Sequence, residues 1–587
     1  MRTPRRLLLL GAAAVVLLGL LAGAVALRLA HTGGTARSEL EAARSELLAA
    51  RAAAVAGDVD TASAAMGRAS LHAGRARELT SDVVWRLSAH VPFAGPPVRT
   101  VRAIASALDE LSGEVLPPLV ELAGAVVPDR LRTGASSFAV APLLGAEQPL
   151  AAAVAAGKQV RADVAGSPDV RRPARVGEAR ATLLDAVDEV LGTLRVAHTT
   201  AQVLPAALGV ETPRRWLLAL QTPAEARGTG GLLGGVAVAT AERGRVRVTT
   251  VESNRVFAAD RRVEVPLPAG YSAQWKAWSP TSVAVNGGVS PDFPTAARIW
   301  AAQWEARRGQ PVDGVATLDP LVLGYLLQAT GGITLSDGTQ LDGSTAAGFV
   351  LQEQYARYPD DDERDARVRE LLERTLSRVL SADVPARAVL DALARGAREG
   401  RVLVAMPDLP EVQATLRGQP VGGALPAADT AFLRLTVNDA GGSKLGPYLT
   451  RSLTYASGRC SNGLQDVTVT LDLGNTAPLR GLPAYVTTRA DLGGGPGSPV
   501  GQRRDYVSFH LPSGTRLAAA QLDGRPVGME VGAESGLTVF SAYLTVDPQT
   551  TRRLTLSLRS PAGARAPVVT TQPLVLPPKV ITRYTPC

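Results

Sequence analysis

At 587 residues the chain is long enough for about three or four domains of roughly 150 residues each. With 46% hydrophobic and 20% charged residues and only 2 cysteines, it is neither a disulfide-knit miniprotein nor a disordered or collagen-like chain. The net charge of +8 comes from 62 Lys and Arg against 54 Asp and Glu, interspersed and without interleaved aromatics, which argues against nucleic-acid binding. No histidine lies between His198 and His510, so His-based catalysis and His-ligated metals are excluded from the middle of the chain.

Arg2, Arg5 and Arg6 precede residues 7–27, which carry no charge, and Arg28 closes the stretch. At 1.5 Å per residue it spans about 30 Å, the thickness of a bilayer core. With the arginine cluster inside, the bulk of the chain is expected outside the plasma membrane, held by a single pass. A cleaved signal peptide is the alternative, with Ala22, Ala24 and Ala26 offering cleavage sites. The length favours an anchor, since a secretory apolar region usually runs only about 7–15 residues.

Residues 29–205 are expected to form a helical membrane-proximal region. Residues 36–126 show amphipathic spacing, as in Leu40, Ala43 and Leu47, with breaks at Gly57-Asp58 and around Pro92, Gly95, Pro96 and Pro97. A second helical stretch covers about 149–203, broken over 166–173. The texture changes at Pro213. A strand over 216–221, a glycine-rich loop, and strands over 236–240 and 246–251 around Glu242-Arg243-Gly244 are predicted. Helices over 293–305 and 320–329 flank a strand at 312–317, and two more helices follow over 344–355 and 362–380. This alternation over 206–410 predicts a central α/β or mixed α+β domain. Residues 411–587 read as a β-sandwich, with alternating strands over 432–437, 466–473, 505–511, 537–544 and 553–558. Val467, Val469 and Leu471 are assigned to the inner face. Cys460 is placed in a turn before this region and Cys587 is the last residue. In an exported chain the two are expected to pair and pin a Pro-rich tail, two free thiols being the alternative.

The common catalytic signatures are missing: there is no G-x-S-x-G, C-x-x-C, H-E-x-x-H or Walker loop. Two constellations remain. Glu225 and Arg227 follow a strand and precede Gly228, Gly230 and Gly231, where α/β sheets usually bind ligands; a structural ion pair is the competing reading. Arg364 and Arg367 open a helix behind an acidic run from Asp360 to Glu363. Arg364 lies one turn before Val368, near the apolar face. Together with free helix N–H groups the two arginines would form a phosphate cradle, unless the acidic run neutralises them.

The segment from Trp216 through Gln221, Glu225 and Arg227 to Gly231 closely resembles the bacterial domain-of-unknown-function family 4012. So do Pro291-Asp292-Phe293-Pro294, the run from Val312 to Pro320, the helical segment from Trp85 to Pro92, and the stretches 438–448 and 467–475. That family has no settled activity. A more distant similarity, through Asp319, Gly331-Gly332-Ile333, Leu341-Asp342-Gly343 and Asp362 with Arg364 and Arg367, is to the LytR-CpsA-Psr enzymes. Those are single-pass extracytoplasmic transferases of polyprenyl-pyrophosphate-linked glycopolymers that use arginines and Mg²⁺-binding acids. The resemblance implies a central domain of that type in which Arg227, Arg255, Arg364 and Arg367 face a pyrophosphate beside Glu225 and Asp319, with Mg²⁺ as a possible cofactor. The chain departs from that pattern at Glu225-Ala226-Arg227 and at Arg255-Val256, where acids are missing. The expected function is therefore binding of a phosphate- or pyrophosphate-bearing cell-wall glycan or lipid-linked glycopolymer, with Mg²⁺-dependent transfer or pyrophosphatase activity as the alternative.

Overall fold

The computed structural model describes residues 3–56, 58–125, 132–493, 497–563 and 565–587; of these, the side chains of 3–22, 54–56 and 123–125 are not described. The chain is a multidomain α+β protein with a helical N-terminal region and a β-rich C-terminal region. It forms two compact units, one of residues Met1–Leu131 and Ala139–Pro205, the other of Arg132–Phe138 and Ala206–Cys587.

The first unit is helical: α1 (Thr3–Ala56), α2 (Val59–Thr80), α3 (Val83–Ser88), α4 (Gly95–Glu110), α5 (Pro117–Ala125), α6 (Ala141–Gly166) and α7 (Ala174–Ala207, whose end enters the second unit). Ala36, Ala43 and Ala50 on α1 recur every seventh residue and are fully buried, as are Ala62, Ala69 and Ala76 on α2. That period keeps one seam of each helix facing the other, and its small side chains let the antiparallel backbones approach closely. Leu150, Val160 and Val164 of α6 pack with Val187, Leu191 and Leu194 of α7 in a second core. Among the described residues no helix is long and apolar enough to cross a membrane; most of the expected anchor over 7–27 lies, as far as residue 22, outside the described side chains.

The second unit opens with a seven-stranded sheet in the order β1-β2-β5-β4-β3-β6-β9. Its strands are β1 (Arg132–Gly134), β2 (Ser137–Phe138), β3 (Arg214–Arg227), β4 (Gly230–Glu242), β5 (Arg245–Ser253), β6 (Gly314–Leu318) and β9 (Val404–Ala405); β7 (Ile333–Thr334) and β8 (Gln340–Leu341) form a separate ladder. Within this sheet, among the described residues, only β3 and β6 pair in parallel, so of the two expected forms, α/β or mixed α+β, the sheet is the mixed one. Two-residue turns explain this. Arg243 and Gly244 both have positive φ, the geometry of a tight hairpin between β4 and β5, and the β3–β4 hairpin turns at Gly228-Thr229. The glycine-rich stretch expected as a loop mostly belongs to β4. Its Gly231 passes so close to Thr222 that an added Cβ would lie 2.3 Å from a backbone carbon.

Helix α8 (Phe293–Arg308) covers one face of this sheet, where Trp300 and Trp304 pack on Leu217, Ala219 and Val236. Helices α9 (Pro320–Thr330), α10 (Asp361–Val379) and α11 (Ala386–Arg398) cover the other, with Leu220, Leu318, Val322 and Leu372 in contact. Sequence reading did not anticipate α11. The expected helix over 344–355 is broken into Ala346–Gly348, a π turn at Phe349–Glu353, and Gln354–Arg357.

The remaining strands make two sheets around one core. One is β16 (Glu530–Glu534), β17 (Leu537–Val546), β13 (Arg503–Leu511), β10 (Phe432–Asp439) and β19 (Val568–Thr571). The other is β15 (Arg525–Pro526), β14 (Arg516–Leu522), β18 (Thr550–Pro561), β12 (Leu464–Asn475), β11 (Leu449–Ser461) and β20 (Lys579–Arg583). Val467, Val469 and Leu471 are buried in that core, while Thr468 faces solvent. Cys460 lies at the end of β11 rather than in a preceding turn, and it is bonded to Cys587 with 5.9 Å between the Cα atoms. The bond closes a tail in which β19 and β20 add in parallel to β10 and β11.

Candidate functional site

A cavity of about 210 Å³ opens where β6 ends, beside Leu220, Gln221 and Thr222 in the middle of β3. Its floor is apolar: Leu220, Leu318, Leu323, Val350, Val368 and Leu372. One wall is a stripe of α10, in which Asp361, Arg364, Asp365, Val368, Arg369 and Leu372 recur at helical spacing and so share a face. Gly234 and Gly235 of β4 line it without side chains, and Asn254 and Arg255 follow from the end of β5. Lys444 and Tyr485, both from the β-sandwich half of this unit, complete the rim.

Of the six candidate ligand-binding residues, the structure brings Arg255, Asp319 and Arg364 to this cavity. Arg255 is half exposed and faces the start of α10, where it pairs with Asp362 and, at 3.1 Å, with Asp365. Arg364 is buried. It donates to the carbonyls of Tyr358 and Pro359 at 2.8 Å, pairs with Asp361, and lies 4.3 Å from the centroid of the Tyr485 ring. Asp319 caps α9 by accepting from the Val322 N–H at 2.9 Å and accepts from Arg401 at 2.6 Å. Burial raises its carboxyl above the usual value, against the pull of Arg401.

Glu225, Arg227 and Arg367 are not brought to the cavity lining. Glu225 and Arg227 sit within β3 rather than in a loop, both buried and 2.8 Å apart. Arg227 further donates to the carbonyls of Ala226 (2.8 Å) and Asp439 (3.1 Å) and to Asn286 Oδ1 (3.2 Å), and it stacks on Trp278. The other oxygen of Glu225 accepts from Lys444. Burial opposes the charge on Glu225, but Lys444 and Arg227 outweigh it and hold its pKa below the ordinary carboxylate value. The same contact lifts Lys444 to about 12 in spite of burial. Strand bulges between Thr222 and Ala226 turn these side chains toward β10 and the Gly446–Tyr448 turn. The structural ion pair is therefore the arrangement found. Arg367 is drawn to the other edge of α10, near Ser336, Asp337 and Glu370.

Arg369, Lys444, Tyr355 and Tyr485 were missed by sequence reading. Arg369 lies five residues beyond Arg364, a spacing that puts it at the edge of the same stripe, and it has no ion-pair partner among the described residues. Tyr355 and Tyr485 stack with centroids 5.6 Å apart, but they are 130 positions apart in sequence and no local pattern links them. Among the described residues no three of His, Cys, Asp and Glu gather as metal ligands. The carboxylates at the cavity are engaged by Arg255, Arg364, Arg401 and, for Glu252, Arg308, so the donors here do not fit a Mg²⁺ ion.

Residues 211–355 match the family model described as "Protein of unknown function (DUF4012)". This region belongs to the DUF4012 family. The DUF4012 match takes in β3 to β6, α9 and the π turn, hence the cavity-lining residues from Leu220 to Tyr355, while the α10 wall, Lys444 and Tyr485 lie beyond it. No curated protein matches the chain. Among solved structures, protein gbs0355 from Streptococcus agalactiae aligns at 12% identity over 38% of this chain and 80% of its own, with a TM-score of 0.25.

Proposed function

We propose that this protein is a membrane-anchored, extracytoplasmic component of the cell envelope whose central cavity binds an amphiphile bearing a phosphate or pyrophosphate, of the kind that carries a cell-wall glycan on a polyprenyl lipid. The observation that supports this reading is the division of the cavity. Leucine and valine side chains form the floor, and the exposed Arg369 and Arg255, the partly buried Lys444 and the buried Arg364 line the polar side. An apolar floor takes a hydrocarbon chain, and guanidinium groups pair with phosphate oxygens two at a time. The charge-free stretch at 7–27 would hold the cavity outside the membrane from which such a lipid is drawn.

Binding is preferred over transfer because the carboxylates that a metal-assisted transferase would use are occupied by arginines. Photoaffinity labelling with a diazirine-bearing prenyl pyrophosphate tests the reading. Crosslinks should map to Val350, Val368 or Leu372, and unlabelled farnesyl pyrophosphate should compete them away. Crosslinks confined to other surfaces, or no competition, would remove the proposal.

A further inference from the structure

The helical unit exposes a compact apolar knob where its helices turn back beside residue 28. Two contacts fix the antiparallel register of α1 and α2, a hydrogen bond between His72 Nδ1 and Glu39 at 2.6 Å and an ion pair of Arg68 with Glu46 at 2.8 Å, and Arg28 of α1 pairs with Asp82, the N-cap of α3, at 2.9 Å. Helix α3 is then pinned to α1. Trp85 is buried, its indole N–H donates to Thr32 Oγ1 at 2.9 Å, and its ring lies against Gly33. The chain returns into α4 through Gly95, where a Cβ would stand 2.3 Å from the Ala89 carbonyl oxygen, and Arg99 donates to that same oxygen at 2.7 Å. The segment 82–95 is thus tied at both ends.

Its outward side is apolar. Phe93 is 98% exposed, Leu87 68% and Val83 58%, beside Leu27 of α1 at 75%. Phe93 has a positive φ of 66°, a backbone region that disfavours bulky residues, so nothing in the local fold calls for an aromatic there. The height of the knob follows from the register. Asp109 of α4 pairs with Arg77 at 2.7 Å, and the fourteen residues from there back to Gly95 rise about 21 Å toward the low-numbered end of α1. That is about the level of the last turns of the charge-free stretch. Arg28, Arg86, His90 and Arg99 are exposed around the knob, and the nearby Asp82 is engaged by Arg28 and by the Trp85 N–H.

We infer that residues 82–95 form a membrane-surface foot. Leu87 and Phe93 enter the boundary between headgroups and acyl chains of the bilayer that residues 7–27 span, and Arg28, Arg86 and Arg99 meet anionic headgroups. An apolar tip within a basic collar is the composition of an interfacial element. The collar and the adjacent charge-free stretch select a lipid surface over a protein partner. This inference rests on the anchor reading, and the test separates the two.

Both cysteines are in the disulfide, so Phe93→Cys gives a single free thiol in the full chain. The variant is labelled with bimane and reconstituted into phosphatidylcholine/phosphatidylglycerol vesicles containing shallow nitroxide lipids. Leu71→Cys on α2, 64% exposed, is the comparator, and Leu87→Cys repeats the measurement at a second knob position. Quenching at 93 and 87 at least threefold stronger than at 71 is expected. Equal quenching in protein that floats with the vesicles overturns the foot and leaves the anchor. A chain that does not float overturns the anchor and the foot with it. Shielding of the label that rises with protein concentration in detergent, without lipid quenching, assigns the face to a protein contact and overturns the foot.

Discussion

Glu225 with Arg227 and Arg364 with Arg369 are two arginine sites in the same unit, and burial gives them opposite characters. At the first, every outward direction is filled: Lys444, Asn286, the Asp439 carbonyl and the Trp278 ring satisfy the pair inside the protein. At the second, Arg364 is held by carbonyls and by Asp361, but Arg369 on the same helix faces an open cavity. Two oppositely charged residues close in sequence are therefore a weak sign of a ligand site, because whether they bind anything depends on what remains unsatisfied after packing. A buried ion pair in which one partner is lost leaves an uncompensated charge, whereas an exposed arginine lost from a rim is replaced by water.

The largest effect is expected at the closed site. Arg227→Ala should destabilise the chain by about 2–3 kcal/mol in urea titrations, because the buried Glu225 is left with Lys444 alone and the Asp439 carbonyl loses a donor. A loss below about 1 kcal/mol would show that this pair is not closed. Acid should reveal the same cluster. Lys444 and Arg227 hold the folded pKa of Glu225 below the ordinary carboxylate value, so its stabilisation is present above that ordinary value and is lost as pH falls through the folded pKa. Thermal melts below about pH 4.5 should fall less steeply for Glu225→Gln, whose side chain cannot titrate; equal slopes would break the assignment.

At the open site, Arg369→Ala should leave the urea midpoint nearly unchanged and weaken binding of a prenyl pyrophosphate about tenfold, since charge-assisted hydrogen bonds contribute about 1.5–3 kcal/mol each. The smallest effect belongs to Arg255, which is exposed and paired with Asp362 and Asp365. Arg255→Ala should leave the melting temperature within the scatter of the measurement, as surface pairs usually do. A clear drop would mean that the start of α10 depends on it.

Much of the fold was legible because periodicity reports burial. The alternation of Val467, Val469 and Leu471 placed the inner face of β12, and the heptad spacing of alanines in the N-terminal region lies within the amphipathic pattern read there. What periodicity does not carry is register between distant segments. Cys460, expected in a turn, lies instead on β11, a strand that the sequence reading does not include and whose pairing with β12 shifts register between Ser457 and Cys460. Arg364 was located near the inward face correctly, since helical phase is local information. Lys444 and Tyr485 were out of reach because only the packing of the sandwich against the mixed sheet brings them to the cavity. Glu225 and Arg227 misled for the same reason: their partners Lys444 and Asp439 come from more than two hundred residues away.

Calorimetric titration of the full chain with farnesyl pyrophosphate, set beside inorganic pyrophosphate and repeated on Arg369→Ala, tests the cavity reading most directly. The account predicts that the prenyl compound binds more tightly than the bare anion, because the apolar floor contributes, and that the variant loses about tenfold in affinity without losing its fold. No heat with the prenyl compound, or equal affinity for wild type and Arg369→Ala, would contradict it.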